Sequence, residues 1–148
     1  MSKRRKAKTN KELSDKLYNM VMFEQFKGTL GVIASKLGVT PARAKQINHL
    51  VVERVSNEGW VYGYHQQSGG HRVAGTAAMA REILEYHHSH AAKSNIRNNH
   101  RINGGVLGGV ITPVSGRNAR GMNREASRLN NEAFMALEFV ETAVPAVA

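Results

Sequence analysis

The chain has 148 residues, which allows one domain of ordinary size with tails, and its formal net charge of +10 predicts a polyanionic partner. It contains no cysteine, so disulfides, thiol catalysis and cysteine-bound zinc are excluded. Because no stretch approaches about 18 consecutive apolar residues or resembles a secretory signal, we expect an intracellular protein with no membrane partner.

Residues 1–9 are predicted to form a basic, disordered arm. Five of the first eight residues are basic, and the segment has nothing to pack in a core. These basic residues are Lys3, Arg4, Arg5, Lys6 and Lys8. Such an arm can lie along phosphates, but the same composition also serves as a solubilising tail.

A first helix is predicted to begin at Thr9, because Thr9 and Glu12 have the spacing of a capping box. We expect Gly28 to end this helix, since glycine accepts the conformations of a helix end. Its apolar stripe consists of Leu13, Leu17, Met20 and Val21.

Residues 29–55 are predicted to hold two helices joined by a tight turn. Apolar residues recur at the spacing of one helical face, and Gly38 follows them as a helix end. Thr40 and Pro41 then begin the next helix, with a capping hydroxyl and a proline at the first position. The buried side of this second helix is predicted to carry Ala44, Ile47, Leu50, Val51 and Val55. Its other side offers Ala42, Arg43, Lys45, Gln46 and His49.

Two short strands are predicted next. Residues 60–65 are rich in aromatic side chains, which is typical of a strand. Residues 66–70 form a polar, glycine-bearing hairpin loop, and residues 71–74 can return as the partner strand.

Three helices followed by a β-hairpin, with a Gly-Val turn and a Thr-Pro cap, resemble the winged helix-turn-helix family over residues 10–90. The resemblance implies that the second motif helix enters the major groove of double-stranded DNA and that the hairpin, or wing, reaches its backbone or minor groove. An ordinary pair of packed helices with a glycine between them is the alternative. Besides the arm, the residues expected to bind DNA are Thr40, Pro41, Ala42, Arg43, Lys45, Gln46, His49, Gln66, Gln67 and Arg72.

A further helix is predicted after Thr76, and it leads into a group of histidines. No aspartate or glutamate occurs between Glu85 and Glu125, so the carboxylates that metal-dependent phosphodiester cleavage needs are missing. We therefore expect no metal site, no cofactor and no enzyme activity, and a nuclease is the weakest alternative. The histidines are His87, His88, His90 and His100.

Residues 91–117 are predicted to form a basic, flexible linker, because asparagine and glycine interrupt any helical periodicity. A short strand is expected within it at residues 106–112. From Lys93 to Arg128 there are seven basic residues and one acidic residue, Glu125, which makes a second basic patch.

Residues 118–148 are predicted to form a helix that Pro145 ends. Its apolar residues alternate in spacings of four and three, the pattern of a helix seam. This seam fits either a homodimer interface or a face folded back on the chain's own core. The seam residues are Met122, Ala126, Leu129, Ala133, Ala136 and Val140.

The sequence therefore predicts a mainly α protein with a small β-hairpin wing, made of a winged helix-turn-helix, a linker and a C-terminal helix. The function expected from it is sequence-specific binding of double-stranded DNA by a bacterial or phage transcriptional regulator, cytoplasmic and nucleoid-associated. Two alternatives stay open. One is a replication or recombination accessory protein with the same module, and the other is a winged-helix protein that binds RNA polymerase.

Overall fold

The computed structural model describes residues 8–140. The chain divides into two compact units, the first running to Ile83 and the second from Leu84 to Phe139. Within the described range, no helix is long and apolar enough to cross a membrane. The elements are α1 (Asn10–Phe23), α2 (Leu30–Leu37), α3 (Pro41–Asn57), β1 (Tyr62–His65), β2 (Gly70–Val73), α4 (Ala77–Leu107) and α5 (Pro113–Met135).

The first unit has three helices followed by an antiparallel hairpin, and three of its helix caps lie where the sequence predicts them. The Thr9 hydroxyl accepts the backbone N–H of Glu12 at 3.2 Å. The Thr40 hydroxyl accepts that of Arg43, also at 3.2 Å. Gly38 ends α2 in the left-handed conformation, with a φ of 68°. These capping predictions are confirmed, since each hydroxyl satisfies an N–H that the first helical turn leaves free.

The predicted end of α1 is wrong. The helix stops at Phe23, and Gln25 two residues later has a φ of 51°, which a right-handed helix cannot continue through. Gly28 instead pairs with β2: its N–H donates to the carbonyl of His71 at 3.2 Å, and the N–H of His71 donates back at 2.7 Å. A short extended segment before α2 therefore joins the edge of the hairpin.

The three helices of the first unit bury a common apolar core. The prediction that Leu50 belongs to it is wrong, because Leu50 is 43% exposed. The buried face of α3 is centred on Ile47 and Val51, and Leu50 points about 100° away from Val51 around the helix. The core residues are Leu13, Leu17, Tyr18, Val21, Ile33, Ala34, Leu37, Ala44, Ile47, Val51 and Val55, with Tyr62 of β1 packed among them.

A buried hydrogen bond ties the hairpin to α3. The Tyr62 hydroxyl on β1 donates to Oδ1 of Asn48 at 2.5 Å, and both side chains are buried. Burial raises the pKa of the Tyr62 phenol well above its usual range, so the hydroxyl keeps its proton and remains a donor. The bond fixes the strand that leads into the hairpin turn against the middle of α3.

Gly70 has no room for a side chain, and Gly70→Ala is expected to lower the free energy of unfolding by about 1–3 kcal/mol. An alanine Cβ there would lie 2.6 Å from backbone atoms of Gly28, so the bridge to β2 must separate. Urea denaturation of the full chain measures the loss. Gly75→Ala is the matched control, because its Cβ meets no atom within 4 Å. Equal stability of the two variants would contradict the close approach.

The second unit is a pair of antiparallel helices, and the linker and strand predicted for residues 91–117 are wrong. Helix α4 continues to Leu107, Gly109 turns the chain with a φ of 75°, and Thr112 caps α5. Side chains link the helices pairwise in antiparallel order. Asn130 donates to the carbonyl of His88 at 2.8 Å, and Asn123 donates to Oδ1 of Asn99 at 2.9 Å. The contact between the helices therefore includes polar pairs along its length.

The limits of the C-terminal helix also differ from the prediction. Helix α5 begins at Pro113, earlier than expected, and ends at Met135, with Ala136 as its C-cap. Val140 lies beyond the helix and cannot belong to its apolar stripe. The predicted helix end at Pro145 lies outside the described residues.

Candidate nucleic-acid interface

Helix α3 presents a row of exposed polar side chains near its N-terminus. Ala44 and Ile47 are buried, so the residues between and beside them must point outward. Lys45, Gln46 and His49 are all exposed, and none has a side-chain partner among the described residues. Exposed, unpartnered donors and acceptors on one helical face are available to a ligand.

Arg43 does not share this freedom. Its Nη2 donates to the carbonyl of Lys8 at 2.6 Å and to Oδ1 of Asn10 at 3.2 Å. Its Nε donates to the same Asn10 oxygen at 3.3 Å. Two of the three guanidinium nitrogens therefore hold the start of α1, whereas the sequence led us to expect a side chain free to contact a base. The remaining basic arm residues, Lys3, Arg4, Arg5 and Lys6, lie outside the described residues.

The start of α3 offers a group that can bind an anion. Thr40, Pro41 and Ala42 are exposed there. The Thr40 oxygen already accepts the N–H of Arg43, but its O–H is still able to donate. Together with the positive end of the helix dipole, this hydroxyl can face a phosphate.

The hairpin turn carries the other predicted contacts. Gln66 and Gln67 are exposed in the turn, which Gly69 closes with a φ of 72°. Arg72 is half-buried and lies along the hairpin, with Nη1 donating to Ser68 at 3.2 Å and Nε to the carbonyl of Val73 at 3.3 Å. The glutamines are therefore the side chains available at the turn, while Arg72 supports it.

A polar network that the sequence did not reveal holds the hairpin turn. His65 is buried, and its Nδ1 lies 2.6 Å from the Ser68 hydroxyl that also accepts from Arg72. Its Nε2 is paired with Glu82 of α4. The sequence signal for this pair is weak, because His65 and Glu82 lie 17 residues apart. The burial of Asn48 could have been predicted from the sequence, since Asn48 lies four residues after Ala44 and three before Val51, on the buried face of α3.

The acidic side chains on and around α3 lie towards its C-terminal end. Beyond His49, the next exposed side chain on the same face is the carboxylate of Glu53. Arg54 is paired with Asp15 at 2.8 Å and lies over the ring of Tyr18, 3.6 Å from its centroid. The hydrogen bond from the Tyr18 hydroxyl to the Glu58 carboxylate raises the pKa of that phenol. The N-terminal half of α3 therefore carries no acidic side chain, while acidic side chains lie on or beside its C-terminal half.

The histidine group belongs to the second unit, and His88 is the member that contacts α5 in the described residues. His88 Nδ1 lies 3.0 Å from Oδ1 of Asn130, and the ring of Tyr86 stacks on that of His90. Burial and the neighbouring His90 and His88 lower the pKa of His87. Among residues 8–140, no three histidine, aspartate or glutamate side chains lie close enough together to hold a metal ion.

Comparisons with known proteins assign no family to this chain. No family model, no curated protein and no solved structure matches it. The geometry of α3 and the hairpin is therefore what supports a function.

Proposed function

We propose that the chain is a winged helix-turn-helix protein that binds double-stranded DNA sequence-specifically, as a bacterial or phage transcriptional regulator does. The observation that carries this proposal is the exposed row of Lys45, Gln46 and His49 near the N-terminus of α3, without partners among the described residues. A protein with this role acts in the cytoplasm, on the nucleoid.

The chemistry of the row suits the major groove. A lysine ammonium donates to O6 and N7 of guanine, and a glutamine amide pairs with N6 and N7 of adenine. Lys45 and Gln46 supply these two groups on adjacent positions, and His49 follows one helical turn later. The Thr40 hydroxyl and the N-terminus of α3 would hold a backbone phosphate beside them.

The hairpin adds contacts outside the major groove. Gln66 and Gln67 would reach the backbone or minor groove from the turn. The contacts of Arg72 and His65 with Ser68 hold that turn in shape. The hairpin is itself fixed to α3 through Tyr62 and Asn48, so both parts of the interface would dock together.

Selection from a pool of random duplexes tests the proposal directly. The purified full chain is expected to enrich one sequence motif over successive rounds of binding. A pool that stays random would contradict sequence-specific binding. Mapping the bound sites on a genome then separates regulation from replication or recombination, since promoters are many and origins or attachment sites are few.

A second copy of the chain is the partner that we propose for α5. The five stripe residues of this helix are exposed, with Met122 at 72% and Leu129 at 50%. The other three are alanines, which let two helices approach closely. A homodimer through Met122, Ala126, Leu129, Ala133 and Ala136 would cover the whole stripe.

The basic arm is expected to add affinity without sequence preference. Replacing Lys3, Arg4, Arg5 and Lys6 by glutamine should weaken binding to all duplexes alike. Each phosphate contact that the variant removes lowers the slope of log K against log salt by about 0.9. Fluorescence anisotropy at several salt concentrations measures this slope. An unchanged slope would identify the arm as a solubilising tail.

A further inference from the structure

The second unit carries positive charge that the proposed interface does not use. From Lys93 to Arg124 there are six basic residues and no acidic residue. All six lie on α4 or α5, within the unit that begins at Leu84. Like charges confined to one small helical hairpin repel each other, and a polyanion removes that repulsion.

The charges on α4 follow one side of the helix. Lys93, Arg97 and Arg101 are spaced four residues apart, so they share one helical face at steps of about 6 Å. All three are exposed. Lys93 and Arg97 have no side-chain partner among the described residues, and Arg101 donates only to the neutral Asn98, at 2.7 Å.

Helix α5 carries a second row. Arg117 and Arg124 stand two turns apart, both exposed and without a partner in the described part of the chain. Between them, Arg120 donates to Oδ1 of Asn103 at 2.7 Å, which fixes this row against α4. Arg128 continues the row but is paired with Glu125 and Glu132, so it is already neutralised.

The apolar stripe of α5 lies on a different face from its arginines. Met122 is two residues beyond Arg120 and Leu129 is five beyond Arg124, which places each about 140–160° away from that arginine around the helix. A membrane-surface helix carries a broad face of bulky apolar side chains opposite its cations, whereas the α5 stripe has only Met122 and Leu129 among alanines. The arginine row is instead purely polar and is suited to phosphates, since guanidinium groups bind them in pairs of hydrogen bonds.

We propose that the α4–α5 hairpin is a second nucleic-acid-binding surface, which grips the phosphates of duplex DNA without reading sequence. The choice of DNA as the polyanion rests on the proposed function, while the surface and its residues do not. One chain would then hold DNA at two places. Its α3 would read bases, and its helical hairpin would bind backbone.

The test compares two double variants of the full chain that remove equal charge. Arg117→Gln with Arg124→Gln is expected to lower the slope of log K against log salt by about 1.8 on a duplex of random sequence, since each arginine–phosphate contact accounts for about 0.9. Lys11→Gln with Lys27→Gln, exposed positions of the first unit, should leave the slope unchanged. Circular dichroism confirms that both variants keep their helices.

The results of this experiment test two proposals separately: phosphate binding by the α4–α5 hairpin and sequence-specific binding by α3. An unchanged slope in the arginine variant, or an equal drop in the lysine variant, overturns the second surface. Discrimination between the selected motif and random DNA is measured in the same experiment and should survive in the arginine variant. Absence of a preferred motif for the wild type would instead overturn sequence-specific binding, while the slope on random DNA still tests the hairpin. A wild type that binds no duplex overturns both.

Discussion

Replacing Lys45 and Gln46 together by alanine is expected to abolish the preference of the chain for its selected DNA sequence over random DNA. Each good base contact contributes about 1–3 kcal/mol of discrimination, so the double variant should lose several kcal/mol. Binding to random DNA should change little, because that binding comes from phosphate contacts. Competition in a gel-shift assay, with labelled motif and unlabelled random duplex, measures the ratio.

The fold of this variant should be intact, since both side chains are exposed and have no partner among the described residues. Thermal unfolding provides that check. Lys27→Ala is the matched control for charge, because Lys27 is exposed in the segment before α2 and its replacement also removes one cation. A double variant that discriminates as well as the wild type would show that another surface reads the sequence.

The parts of the fold that can be predicted from the sequence depend on local signals. A hydroxyl at Thr9 or Thr40 satisfies an N–H three residues later. The residues that determine the helix start therefore lie within one turn of each other in the sequence. The pairing of Gly28 with His71 cannot be predicted in this way, because the two residues lie 43 positions apart and no local sequence pattern indicates their contact. The end of α1 cannot be predicted for the same reason, since Gly28 has the local character of a helix end but serves the hairpin.

The second unit was not predicted because part of the contact between its two helices is polar. His88 and Asn99 on α4 contact Asn130 and Asn123 on α5, at positions where a seam usually carries leucine. Hydrophobic periodicity cannot detect such a seam, and asparagine and glycine are typical of loops. One local signal is nevertheless present. Thr112 and Pro113 repeat the Thr-Pro start of α3, and they do begin a helix.

At the candidate interface, too, local spacing predicts which side chains face outward but not which of them have partners far away in the sequence. Helical spacing places Lys45 and Gln46 on the outer face of α3, and both are exposed there. The same spacing places Arg43 beside them, but its guanidinium is occupied by Lys8 and Asn10, more than 30 residues earlier. Which outward side chains remain free is decided by contacts across the fold, which spacing alone does not give.

Leu129→Glu combined with Ala133→Glu is expected to convert a dimer into a folded monomer. In a dimer through the α5 stripe, both residues would lie at the centre of the seam. A carboxylate buried there without a partner costs several kcal/mol, and each seam would hold four of them. The core of the first unit should survive, since none of its residues lies on α5. Sedimentation equilibrium measures the mass, and thermal unfolding confirms the fold.

A matched control comes from the same helix. Asn131→Glu with Met135→Glu introduces the same two charges at the same spacing, but about 160° away around α5, where both residues are exposed. This variant should remain a dimer. The monomer should protect one DNA half-site and bind more weakly, because dimeric helix-turn-helix proteins bind two half-sites about one helical turn apart. A wild type that sediments as a monomer would contradict the dimer, and loss of the thermal transition in the Leu129 variant would mean that the stripe packs on its own chain.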